Sequence, residues 1–122
     1  MALKTLNDLL VRELEDLYNA EHQIIKALPK MADAASSPEL KKAFEEHKAR
    51  TERQAERLEQ AFHKLGHRPE EVTCKGMEGL IAEGEEILEE DAEPAVRDAA
   101  LIGAAQRVEH YEIAAYGTAR TF

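Results

Sequence analysis

Residues 10–28 read Leu-Val-Arg-Glu-Leu-Glu-Asp-Leu-Tyr-Asn-Ala-Glu-His-Gln-Ile-Ile-Lys-Ala-Leu. Leu10, Leu14, Leu17, Glu21, Ile24, Ile25 and Leu28 fall on one face of a helix, mostly at steps of three and four. This stretch makes the fold helical and places a carboxylate in mid-stripe. Working outward, Thr5-Leu6-Asn7-Asp8 has the spacing of a capping box, with Asp in place of the usual Glu or Gln. The first helix is expected from about Asn7 to Ala35, bent at Pro29, which removes one backbone donor. Ser36-Ser37-Pro38-Glu39 restarts the chain, with Ser37 as N-cap and Pro38 in the first helical position. The second helix then runs to about Leu65 and stops at Gly66. The turn between these helices is so short that they form an antiparallel hairpin.

The second helix has the stripe Leu40, Phe44, His47, Thr51, Gln54, Leu58, Phe62, Leu65. Residues 66–74 read as a loop. A shorter crossover helix follows from about Gly76 to Glu90, weakened by Gly79 and Gly84 at about 1 kcal/mol each. Pro94 opens a last long helix reaching Phe122. Along one side of it lie Val96, Ala99, Ile102, Ala105, Gln106, Glu109, Ile113 and Tyr116, with Glu112 on the flank. All 122 residues are expected to form one domain.

Composition narrows the function. The net charge of −9 argues against nonspecific nucleic-acid binding, which rests on cations neutralising phosphates. No apolar run is long enough to span a membrane. The residues Met1-Ala2-Leu3-Lys4 do not read as a signal peptide. A single cysteine, Cys74, permits no internal disulfide, which suits a reducing cytoplasm.

The chemistry lies in polar residues at apolar positions. Glu21, His47 and Glu109 each interrupt a stripe near the middle of a long helix, and Glu112 adjoins the third. A buried carboxylate must be paired, protonated or metal-bound. Carboxylates with imidazole suit Fe or Mn. Glu21, His47, Glu109 and Glu112 are therefore the candidate metal ligands. A simple buried Glu21–His47 ion pair is the plainer alternative. Thr51 and Gln54 read as supporting hydrogen-bonding groups. His22, His63, His67 and His110 read as surface residues, and Tyr18 and Tyr116 as tyrosines at the core edge. Seven acids between Glu83 and Glu93 read as a solvated face. Glu46 and Arg50 read as an exposed i,i+4 pair.

A family resemblance rests on particular strings. They are Leu17-Tyr18-Asn19-Ala20-Glu21, then Glu46-His47 with Thr51-Glu52-Arg53-Gln54, then Met77-Glu78-Gly79-Leu80-Ile81-Ala82-Glu83-Gly84. Arg97-Asp98-Ala99-Ala100-Leu101-Ile102 and Val108-Glu109-His110-Tyr111-Glu112-Ile113-Ala114-Ala115-Tyr116-Gly117 complete the set. In this order, over essentially the whole chain, they resemble the YciE/YciF-type ferritin-like family. The resemblance implies an all-α, ferritin-like antiparallel bundle with a crossover element, a dinuclear metal centre, dimerisation and a link to bacterial stress. Members of that family continue past the position of Phe122 into another long helix with acids facing the site. The expected protomer therefore has three long helices and a short crossover, its fourth long helix missing or supplied by a partner chain.

Two functions of different classes follow. One is an Fe or Mn protein with a redox role toward O₂ or peroxide, acting as a homodimer. The other is a non-catalytic helical interaction module that has lost its metal. Metal content separates them.

Overall fold

Local caps set where each helix begins. In the computed structural model, which describes residues 2–122, helix α1 spans Leu6–Ala34. The Met1 end of the leader reading lies outside the described residues. Thr5 Oγ1 accepts from the Asp8 N–H at 3.0 Å, and Asp8 Oδ2 accepts from the Thr5 N–H at 3.1 Å. These two bonds satisfy backbone donors that a helix start leaves orphaned. The helix continues through Pro29 to Ala34. Helix α2 spans Pro38–Lys64, with Ser37 as N-cap and Pro38 at its start. Beyond it, Gly66 adopts φ +65°, the left-handed conformation that glycine enters without strain. Helix α3 spans Lys75–Glu89 and α4 spans Pro94–Thr121.

The chain is an all-α helical bundle of three long helices and one shorter crossover helix. Helix α1 is its centre and packs against the other three, while α3 lies along α4. Helices α2 and α4 barely touch through their backbones. An apolar groove of about 590 Å³ lies between them at one end, with Leu10, Leu14, Leu58 and Ala119 in its walls. No helix among the described residues is long and apolar enough to cross a membrane.

The core is divided. One cluster contains Ile24, Leu28, Phe44, Met77, Leu101 and Val108. The other contains Leu14, Leu17, Leu58, Phe62 and Ala119. Between them along the helices sit the buried polar residues Glu21, His47, Thr51 and Glu112. Polar groups so placed need partners, because desolvation without compensation is costly.

Helix α4 corrects the expectation of which side faces inward. Its buried residues are Leu101, Ala104, Val108, Glu112 and Ala119. Ile102 and Ile113 are 48% and 64% exposed, and Val96, Ala99 and Gln106 are also exposed. Apolar residues surround this helix, so their directions nearly cancel and periodicity points nowhere. The real core arc lies to one side of the expected stripe.

Candidate metal centre

The α4 correction exchanges the standing of two glutamates. Glu112, expected on the flank, is buried, with its side chain 8% exposed. Glu109, expected in the stripe, sits at the edge with its side chain 36% exposed. Both still reach the same histidine. His47 Nε2 lies 3.1 Å from Glu109 Oε1 and 3.7 Å from Glu112 Oε1. Among the described residues, one ligand atom from each of His47, Glu109 and Glu112 lies within 4.8 Å of the others. Glu21 lies outside this triplet, next to Glu112 and the Tyr116 hydroxyl.

Each helix holds its contribution rigidly. Glu21 is fully buried, with Leu17, Ala20 and Ile24 buried around it. His47 follows buried Phe44 by less than one turn, and the Thr51 hydroxyl donates to the His47 carbonyl at 2.8 Å. That bond keeps the Thr51 side chain satisfied within its own helix. Arg50 Nη2 lies 3.7 Å from Glu109 Oε1. Arg50 thus faces the site and does not pair with Glu46, whose partner is Lys42 at 3.9 Å. Its position three residues after His47 was the available signal.

The carboxylates perturb one another. Burial, then the adjoining Glu112, pushes the Glu21 carboxyl well above the ordinary range. Burial works to raise Glu112 as well, but the adjoining His47 and Glu21 outweigh it and hold that carboxyl low. Burial, then the neighbouring Glu21 and Glu112 carboxyls, raises the Tyr116 hydroxyl. Of the two, Glu21 is the carboxyl pushed up and Glu112 the one held low.

Both Glu21 oxygens, Glu112 Oε2 and the Tyr116 hydroxyl are buried without a hydrogen-bond partner. Orphaned buried oxygens are rare in folded proteins. A divalent cation would supply the charge and the partner they lack. Hard oxygen donors with one imidazole suit Fe or Mn, so the residues fit such an ion. A cleft of about 250 Å³, lined by His47, Arg50, Gln54, Glu109, Glu112, Ile113 and Tyr116, opens the site outward.

The remaining polar candidates lie elsewhere. Tyr18 donates to Glu59 Oε1 at 2.8 Å. His22, His63 and His110 are exposed, as are the seven acids between Glu83 and Glu93. His67, expected in solvent, is half-buried with Nε2 3.7 Å from Glu15 Oε2. Glu15 itself is buried and accepts from the Glu70 N–H at 2.6 Å, anchoring the loop before α3. Its place one residue past Leu14 gave no sign of that role.

Comparison with known proteins agrees with this architecture. The family described as "Domain of unknown function (DUF892)" matches residues 5–122. Protein YciF of Escherichia coli (strain K12) is 45% identical over 122 residues, covering 99% of this chain and 74% of that protein. The crystal structure of the E. coli stress protein YciF superimposes with a TM-score of 0.94, over 98% of this chain and 76% of that one. YcfI from Rhodopseudomonas palustris, 48% identical, superimposes with a TM-score of 0.91 over 95% of this chain and 74% of that one.

Proposed function

The chain belongs to the DUF892 family, and from that membership and its buried polar layer we propose that it is a stress-associated, ferritin-like protein holding Fe or Mn. The observation that carries this reading is the set of partnerless buried oxygens beside a histidine and two carboxylates. His47 would bind through Nε2, with Glu109 and Glu112 as oxygen donors. Glu21 would join them by giving up its proton, and a second ion would use the same carboxylates. A metal bound there supplies one-electron redox chemistry toward O₂ or peroxide.

The chain's own residues support that chemistry in several ways. The protonated Glu21 keeps the cation-free layer from carrying another buried charge. The Tyr116 hydroxyl stands beside the Glu21 carboxyl and can hold a proton there. Arg50 offsets the charge of Glu109 at the rim, and the cleft admits a small molecule such as O₂ or peroxide.

The test is metal content followed by turnover. Protein expressed with added iron or manganese should retain a stoichiometric amount through gel filtration. Loaded with Fe(II), it should consume O₂ or peroxide faster than free Fe(II) does. No retained metal would favour a helical interaction module with no redox role.

Assembly is part of the same reading. Exposed Ile102 and Ile113 on α4, together with the neighbouring groove, make an apolar flank of a kind monomers seldom leave in water. The expected state is a two-fold homodimer burying this flank. Light scattering at micromolar concentration should give twice the chain mass of 13.7 kDa. A stable monomer would refute the assembly. A cytoplasmic setting, which keeps the free Cys74 reduced, completes the proposal.

A further inference from the structure

Apart from the metal layer, three titratable side chains from three elements meet in a closed triangle. The Cys74 thiol donates to Asp16 Oδ2 at 3.3 Å and lies 3.2 Å from the Tyr111 hydroxyl. That hydroxyl donates to the same Asp16 oxygen at 3.3 Å. Cys74 is fully buried, and its backbone is pinned as well. Its N–H donates to Asn19 Oδ1 at 2.7 Å, and its carbonyl accepts from Gln23 Nε2 at 3.1 Å. Gly76 makes room for the tyrosine ring. A Cβ there would stand 2.6 Å from Tyr111 Cε2 and 2.9 Å from its hydroxyl. The thiol is therefore held against the phenol, and the phenol belongs to the residue that precedes Glu112.

The capping role by itself does not call for a thiol. Cys74 is the N-cap of α3, its Sγ accepting from the Met77 N–H at 3.4 Å. Serine, threonine, aspartate and asparagine are the strong N-caps, and a hydroxyl could make the same contacts with shorter bonds. A thiol and a phenol share another property, the ready loss of an electron with a proton. Asp16 accepts a hydrogen bond from both, so it is placed to receive those protons.

We propose that Tyr111 and Cys74 form a redox-active pair that reduces one peroxide to two waters and is left joined by a thioether. This rests on the metal reading above, in which peroxide reacts at the neighbouring carboxylate–histidine layer. The Cys74 S–H bond and one ring C–H bond beside the Tyr111 hydroxyl break. A sulfur–carbon bond forms, and the peroxide O–O bond breaks. The two residues lose two electrons and two protons, and one peroxide takes them up as two waters. Oxidation of the phenol alone would stop at a radical. The adjacent thiol supplies the second electron and closes the shell.

The experiment is intact-mass and peptide analysis of Fe(II)-loaded protein after one equivalent of hydrogen peroxide. The mass should fall by two hydrogens, and the peptides bearing Cys74 and Tyr111 should run as one species. Cys74→Ser keeps the cap and its contacts, and Tyr111→Phe keeps the ring. Both variants should bind iron as the unaltered chain does and show no loss of mass. Iron bound and peroxide consumed with mass unchanged, or with only oxygen added to Cys74, would overturn the proposal and leave the metal reading standing. Formation of the thioether by peroxide without iron would overturn its link to the centre. Failure to bind iron would overturn both.

Discussion

Replacing His47 with alanine should lower the affinity for Fe(II) or Mn(II) more than about 100-fold, beyond the 10–100-fold typical of groups that only support a metal's ligands. His47 is the nitrogen donor of the triplet, and its Nε2 lies within 3.7 Å of carboxylate oxygens from both Glu109 and Glu112. Without it, α2 offers the layer no ligand, and the remaining donors are carboxylates that repel one another. Alanine is the best helix former, so α2 should persist. The far-UV circular dichroism should change little while metal binding and any excess O₂ or peroxide consumption disappear. Equilibrium dialysis with metal analysis checks this. Unchanged affinity would place the ion elsewhere and reduce the His47 cluster to a buried ion pair.

Replacing Glu21 with glutamine should have opposite effects on two states of the protein. In EDTA-treated protein it should add stability at pH 8, because each pH unit between the ordinary and the raised value costs the unaltered chain about 1.4 kcal/mol. Burial, then Glu112, raises the Glu21 carboxyl in the folded state. Above its ordinary value the folded chain therefore binds a proton that the unfolded chain has released. Stability is full below the ordinary value and falls as pH rises toward the raised one. Glutamine does not titrate and removes that fall. Glu112 has the opposite sign. Its carboxyl is held low, so its contribution is present above the ordinary carboxylate range and is lost as pH falls through its lowered value. Urea titrations at pH 6 and pH 8 should show a steeper loss for the unaltered chain than for Glu21→Gln. With metal present the order should reverse, because glutamine cannot become an anionic donor. If the variant is less stable without metal at both pH values, Glu21 is not held protonated.

Much of this was legible because it is local. Thr5 with Asp8, Ser37 with Pro38, Gly66 and Pro94 mark helix ends through contacts within a few residues. Glu21 and His47 stood out for a similar reason. Each interrupts a stripe that is apolar on one side only, so the inward direction is encoded in the helix itself. The matching depth of these residues then follows from antiparallel packing of α1 and α2 through a short turn.

The sequence by itself therefore determined the helices, their boundaries and the two polar residues on α1 and α2. Tertiary structure alone decided which of Glu109 and Glu112 is buried. Apolar and polar residues are both spread around the circumference of α4, so its inward arc is chosen by where α1 and α3 press on it, around Leu101 and Val108. Tertiary structure also decided that Arg50 turns to Glu109 across the cleft beside His47. It alone assembled Asp16, Cys74 and Tyr111, which are separated by 58, 37 and 95 residues in the chain. Periodicity records the solvent preference of one helix at a time. A contact between helices depends on their relative placement, which that period does not contain.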